Sequence, residues 1–157
     1  MKLKEKAETF LILAPLLVLL FIVSASLLAP ILEYQRLEIS SFFYKSVSKL
    51  CHHIPTHCIF IETSNMAICA RCFSIYFSLL AFGTFFFYHR TQRINWKISL
   101  LLTLPCWVDG LTQYFGWRES NNSLRIVTGL LAGSGLGLIV FPLQYRCLAF
   151  FKRRQWL

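Results

Sequence analysis

The sequence predicts an all-α membrane protein, a four-transmembrane-helix bundle with a short extracytoplasmic interfacial helix. Three observations lead there. Hydrophobic residues make up 56% of the 157-residue chain and its mean hydropathy is +0.56, well above the roughly 45–50% apolar content of soluble domains. Four apolar runs reach the length of about 20 residues needed to cross a bilayer. The sixteen Lys and Arg residues, which dominate a formal charge of +9, gather at the ends of those runs and not along one polar face. That is a membrane pattern, and it argues against nucleic acid as a partner.

The first run, 10–32, reads FLILAPLLVLLFIVSASLLAPIL without a charge. The preceding MKLKEK and the small residues Ser24, Ala25 and Ser26 also have the form of a secretory signal. The apolar stretch is long for a signal core and continues past any such cleavage site, so a retained helix is expected. The second run, 66–88, is apolar after its opening CARC; the third, 98–117, contains Asp109 and Gln113; the fourth, 124–148, is apolar until Arg146. With no repeat, Gly/Ser linker or low-complexity tract, residues 1–157 read as a single membrane domain.

A cytoplasmic N-terminus would put ten basic residues inside: Lys2, Lys4, Lys6, Arg90, Arg93, Lys97, Arg146, Lys152, Arg153 and Arg154. Six would lie outside, spread over more sequence: Arg36, Lys45, Lys49, Arg71, Arg118 and Arg125. The bias predicts a multi-pass cell-membrane protein with both termini cytoplasmic and residues 33–65 extracytoplasmic. Within that loop Ile39, Phe42, Phe43, Val47 and Leu50 recur at helical spacing while Arg36, Glu38, Lys45 and Lys49 avoid the stripe. This is the expected interfacial helix; it delivers Cys51 at its end, and Pro55 stops its continuation.

Residues 51–72, CHHIPTHCIFIETSNMAICARC, hold four of the six cysteines and three of the four histidines. Cys69 and Cys72 are three apart, so on a helix their sulfurs share a face. Arg71 and a helix N-terminus would lower the thiol pKa there and suit either metal binding or redox chemistry. Cys51 with an imidazole from His52, His53 or His57 completes the mixed sulfur and nitrogen set that zinc takes in tetrahedral geometry. The predicted metal ligands are Cys51, His52, Cys69 and Cys72, with zinc as the cofactor.

Further along, Cys106, Asp109 and Gln113 form one stripe of a helix that contains Pro105. An acid inside a span is costly and faces a partner or a wet cavity, and Arg71, entering from the neighbouring span, is the expected partner. Arg118 and Ser120 in the GWRESNNS loop bring more polar groups to the same side. Asp109, Gln113, Arg71, Arg118 and Ser120 are therefore the candidate catalytic residues. Gly129, Gly133 and Gly137, at four-residue spacing, predict close approach of another helix. Cys147 lies at the opposite end from the cluster, beside basic residues.

The ordered series CHHIP, AICARCFSIYF and PCWVDGLTQYFGWRESNNSLRIVTGLLAG resembles a prokaryotic family of predicted integral membrane proteins catalogued as domain of unknown function 2085. The resemblance covers roughly residues 50–137. It singles out Cys51, His52, Cys69, Arg71, Cys72, Tyr76, Pro105, Asp109, Gly110, Gln113, Arg118, Ser120, Arg125, Thr128 and Gly129. Ser74 stands where that family tends to have glycine, which implies looser packing there. Asn122 matches the family's asparagine with Asn121 as the variable position, and Cys58 falls where a non-cysteine is more usual.

Three functions are compatible with these residues. The preferred one is an outward-facing metal centre, of a metal-dependent hydrolase or transferase acting on a lipid-borne group. The second is a quinone-linked thiol–disulfide oxidoreductase, for which the CxxC and a Cys51–Cys58 pair resemble the layout of disulfide-generating membrane proteins. The third is a non-catalytic accessory protein whose cysteines staple the loop to the bundle. The expected partners are the lipid bilayer and a lipid-borne or quinone ligand.

Overall fold

The computed structural model of the chain describes residues 2–51, 55–61, 64–90 and 92–154. Among these are five α-helices: α1 (Lys2–Tyr34), α2 (Ile39–Ser48), α3 (Ala70–His89), α4 (Trp96–Tyr114) and α5 (Asn122–Arg154). Between α2 and α3 lie a 3-10 turn, Pro55–His57, and two short antiparallel strands, β1 (Phe60–Ile61) and β2 (Ser64–Asn65), that pair Phe60 with Asn65 and Ile61 with Ser64. Three helices are long and apolar enough to cross a membrane, over Thr9–Tyr34, Ala70–His89 and Asn122–Phe151. The third apolar run, 98–117, forms α4, which is 19 residues long, and it falls outside that set.

The bundle is organised around α5, which packs against α3 on one side and α4 on the other, while α1 packs against α3 and α2. Glycine makes this arrangement feasible. A Cβ on Gly129 would come within 2.7 Å of the Arg71 carbonyl oxygen, and one on Gly133 within 2.5 Å of the Ile75 carbonyl oxygen. One on Gly137 would come within 2.8 Å of Phe82 Cβ. Gly135, facing α4, would place a Cβ 2.7 Å from the Ser99 carbonyl oxygen. The predicted glycine face thus packs on α3, and a fourth glycine admits α4 on the other side. Close backbone approach also makes room for polar bridges: Ser99 donates to the Gly135 carbonyl at 2.6 Å and the Ser78 and Ser134 hydroxyls meet at 2.8 Å.

Ser74 does not loosen the seam, contrary to expectation. Its Cβ stands 2.9 Å from where a Gly129 Cβ would be, and its hydroxyl returns to the Ala70 carbonyl at 2.8 Å. The serine is buried in a tight contact because the space it occupies is given up by glycine on the facing helix.

The stripe of α2 divides. Val47 is buried, and Phe43 packs with it against Ile22, Ala25 and Ala29 of α1 and Ile68. Ile39, Phe42 and Leu50 stay exposed. The helix ends at Ser48, well before Pro55, and a turn with the Leu50 amide on the Val47 carbonyl and the Cys51 amide on Ser48 carries the chain onward. Near this turn the Tyr44 hydroxyl lies 2.8 Å from Glu33 Oε2 and 2.7 Å from the Asn65 carbonyl, tying α1, α2 and β2 together.

In α4 the usual order of inside and outside is inverted. Ser99, Thr103 and Asp109 are buried, whereas Leu100, Leu101, Leu104, Trp107, Val108 and Leu111 are each half or more exposed. Polar residues of α4 thus face the bundle and apolar ones face away from it.

Replacing Gly133 with leucine should force α3 and α5 apart and destabilise the protein by about 1–3 kcal/mol, the usual range for overpacking a close contact. Thermal unfolding in detergent should report the loss, while the exposed Leu136→Ala variant leaves the midpoint nearly unchanged.

Candidate functional site

The N-terminus of α3 is built from sulfur. Cys69 is its cap, in extended conformation, and its Sγ accepts from the Cys72 amide at 3.5 Å. The Cys69 amide in turn donates to Cys51 Sγ at 3.3 Å. Two backbone N–H groups at a helix start, which have no intrahelical partner, therefore point at sulfur. This also corrects the expected geometry: Cys69 precedes the helix, and the pair converges through a cap and not through a shared helical face.

The Sγ atoms of Cys51, Cys69 and Cys72 all lie within 4.8 Å of one another. In a tetrahedral zinc–thiolate site with bonds near 2.3 Å, sulfurs stand about 3.8 Å apart, so the donor set fits with a small contraction. None of the six cysteines forms a disulfide. Tyr76, one turn below Cys72, donates to the Leu50 carbonyl at 3.3 Å and fixes the turn that presents Cys51. The Cys69 thiol is pushed up in pKa, chiefly by its hydrogen bond with Cys51 and then by burial, although its contact with Cys72 opposes this. The lowering expected from Arg71 and the helix end does not prevail, because hydrogen bonding with Cys51 and burial favour the protonated thiol; a bound divalent cation would displace that proton.

Cys58 is buried outside this trio, and burial with the Cys69 and Cys51 sulfurs raises its pKa to about 11. His57, half-buried, is shifted down by burial and by Arg125 and Arg71, which favours its neutral form. His52, the predicted nitrogen ligand, and His53 lie outside the described residues.

Beside the thiols stands a second constellation centred on Asp109, 4% exposed. Arg71 Nη2 pairs directly with its Oδ2. Arg118 Nη2 meets Oδ1 at 2.9 Å, Gln113 Nε2 meets Oδ2 at 2.9 Å, and the Ser120 hydroxyl meets Oδ2 at 3.3 Å. The five predicted catalytic residues are thus brought together, with Asp109 at the hub. Local structure explains how the loop reaches it. Gly116, at φ +68, closes α4 with the Trp117 amide returned to the Thr112 carbonyl, and Asn121 restarts the chain as a helix cap, its Oδ1 accepting from the Leu124 amide at 2.8 Å.

The resemblance had flagged Arg125, but its place in this network was missed. It is 4% exposed. Its guanidinium donates to Gln113 Oε1 at 3.3 Å and Asn122 Oδ1 at 3.2 Å, and Asn122 donates to the Cys58 carbonyl at 3.2 Å. A polar chain therefore runs from Asp109 through Gln113, Arg125 and Asn122 to the cysteine segment. An arginine three residues into an apolar helix was the available signal. Cys106, on the predicted stripe, is half-buried and does not join the thiol trio.

Residues 51–139 match the family described as predicted membrane protein DUF2085, and the chain belongs to that family. The matched span begins at Cys51 and ends just past the glycine seam. The chain is 36% identical to the uncharacterized protein MJ1492 of Methanocaldococcus jannaschii over 112 residues, 68% of this chain and 71% of that protein. It is 36% identical to an uncharacterized protein of Methanothermobacter thermautotrophicus over 101 residues, 61% of this chain and 88% of the relative. No solved structure matches.

Asp109→Asn should destabilise the protein by roughly 3 kcal/mol, because two guanidiniums lose their counter-charge at a buried site. Arg118→Gln should cost less than about 1 kcal/mol, since more than half of that side chain is exposed. Comparing thermal midpoints of the two variants in one detergent tests the asymmetry.

Proposed function

We propose that this protein is a multi-pass cell-membrane protein whose Cys51, Cys69 and Cys72 thiolates hold a zinc ion, with His52 as the predicted fourth ligand. The observation that carries this reading is the convergence of three sulfurs within 4.8 Å, two of them accepting backbone N–H groups. Sulfurs from a loop and from a helix cap would be clamped by the metal, so the ion anchors the segment after α2 onto α3. The adjoining Arg71, Asp109, Gln113, Arg118 and Ser120 are then its functional neighbourhood, with Asp109 as the positioning residue that aligns the others. Four protein ligands would fill a tetrahedral zinc site, so Lewis acidity and an activated water, the chemistry of a hydrolase or transferase on a lipid-borne group, would be supplied only with Cys51, Cys69 and Cys72 holding the ion and His52 off it. The oxidoreductase alternative calls for Cys51 to pair with Cys58; the grouping of Cys51 with Cys69 and Cys72 favours metal.

In this reading α4 is a fourth span. Its 19 residues extend about 28 Å, close to the roughly 30 Å of a hydrocarbon core. Its exposed leucines, and the exposed Trp96 at one end with Tyr114 and Trp117 at the other, have the distribution of a lipid-facing helix with interfacial aromatics. The basic residues favour cytoplasmic termini, with the thiol centre and loop 33–65 facing outward.

Protein purified in detergent without added metal should carry about one zinc per chain by elemental analysis. Cys69→Ser and His52→Ala should each lower retention about tenfold or more. Metal-free protein whose Cys69 and Cys72 thiols are oxidised to a disulfide as added quinone is reduced to quinol would reject the metal reading in favour of the redox one. For orientation, a membrane-impermeant maleimide should label the exposed Cys147 in inverted vesicles and spare it in intact cells.

A further inference from the structure

Between α4 and α5 lies a cavity of about 400 Å³ lined by Leu104, Pro105, Val108, Asp109, Thr112, Arg118, Leu124 and Thr128. Its walls are mostly apolar, and two of them, Leu104 and Val108, belong to the exposed face of α4 at 52% and 53% exposure. One charged pair, Asp109 and Arg118, is set into this lining. Arg118 gives only Nη2 to Asp109 and makes no other hydrogen bond among the described residues, with its side chain 55% exposed. An arginine edge left open beside an apolar slot can receive two oxygens of one phosphate.

Charge selects the ligand. Arg71 and Arg118 pair with the buried carboxylate of Asp109, and Arg125 joins it through Gln113; among the described residues the exposed Glu119 does not offset three guanidiniums. Among the described residues the buried Nε atoms of Arg71 and Arg125 have no hydrogen-bond partner, so donors there are in surplus. Depth is indicated independently by Tyr114, Phe115 and Trp117, which are 84%, 58% and 78% exposed next to Arg118 in sequence. Such aromatics settle at the headgroup level of a bilayer.

We propose that this cavity binds an anionic phospholipid, its phosphate on Arg118 and an acyl chain along Leu104, Val108 and Leu124. The site rests on the reading of α4 as lipid-facing, and it does not require the metal. A water-soluble anion would gain nothing from the apolar walls, and a zwitterionic headgroup would bring a cation towards the guanidiniums.

The test uses the full chain in detergent, with phosphatidylglycerol and phosphatidylcholine of identical acyl chains as probes and native mass spectrometry to count retained lipid. Phosphatidylglycerol should be retained roughly tenfold over phosphatidylcholine, the equivalent of one charge-assisted contact. Arg118→Gln should abolish that preference, and Val108→Trp, which fills the slot from the lipid side, should reduce retention of both. Equal retention of the two lipids, or a preference unchanged in Arg118→Gln, would overturn the proposal. Competition by inorganic phosphate at equal concentration would overturn it too, in favour of a free anion. Repeating the measurement on Cys51→Ser protein keeps the two readings apart, because lipid preference without bound zinc supports this site whatever becomes of the metal centre.

Discussion

A buried carboxylate must be neutralised where it stands, and the end of this bundle that carries the cysteines is arranged around that requirement. Asp109 receives donors from α3 through Arg71, from its own helix through Gln113, and from the α4–α5 loop through Arg118 and Ser120. Arg71 and the loop donors thereby tie α3 and the α4–α5 loop to α4. Desolvation makes the arrangement strict, because an unpaired charge in a low-dielectric interior is far more costly than an unpaired polar group. Helix positions, loop conformation and the Gln113–Arg125 bridge are consequences of keeping that charge satisfied.

That convergence is possible only because α5 lets its neighbours come close. Gly129 and Gly133 bring the α3 backbone at Arg71 and Ile75 almost into contact, and Gly135 does the same for Ser99 of α4. Without a hydrophobic driving force between apolar helices in lipid, such packing and the short polar bridges across it supply the attraction. The seam and the polar cluster share one residue: the Arg71 carbonyl oxygen packs on Gly129 while its guanidinium reaches Asp109. Backbone packing thereby sets the side-chain geometry.

The cysteine segment is joined to this frame at two points. Cys72 and Cys69 belong to the first turn and cap of α3, so they move with Arg71, and Asn122 of α5 holds the Cys58 carbonyl. A metal bound by the trio would add the segment after α2 to the same rigid unit. The proposed metal and lipid sites are then neighbours across Arg71, one built on sulfur and one on guanidinium.

Much of the architecture was legible in the sequence because its signals are local. Apolar run lengths marked where α1, α3, α4 and α5 form, the period of small residues marked the α3 contact of α5, and an acid inside an apolar run announced a partner. The candidate residues Asp109, Gln113, Arg71, Arg118 and Ser120, marked by their chemistry and by the family resemblance, are gathered at one place, as are Cys51, Cys69 and Cys72. What only the tertiary structure decided is how distant groups meet. That Cys69 caps α3 instead of joining it, that Ser74 packs tightly against Gly129, and that Arg125 links Gln113 to the cysteine segment all depend on contacts between helices far apart in sequence. Periodicity fixes which face of a helix a residue occupies, but the neighbour that face meets is set by the simultaneous packing of α3, α4 and α5.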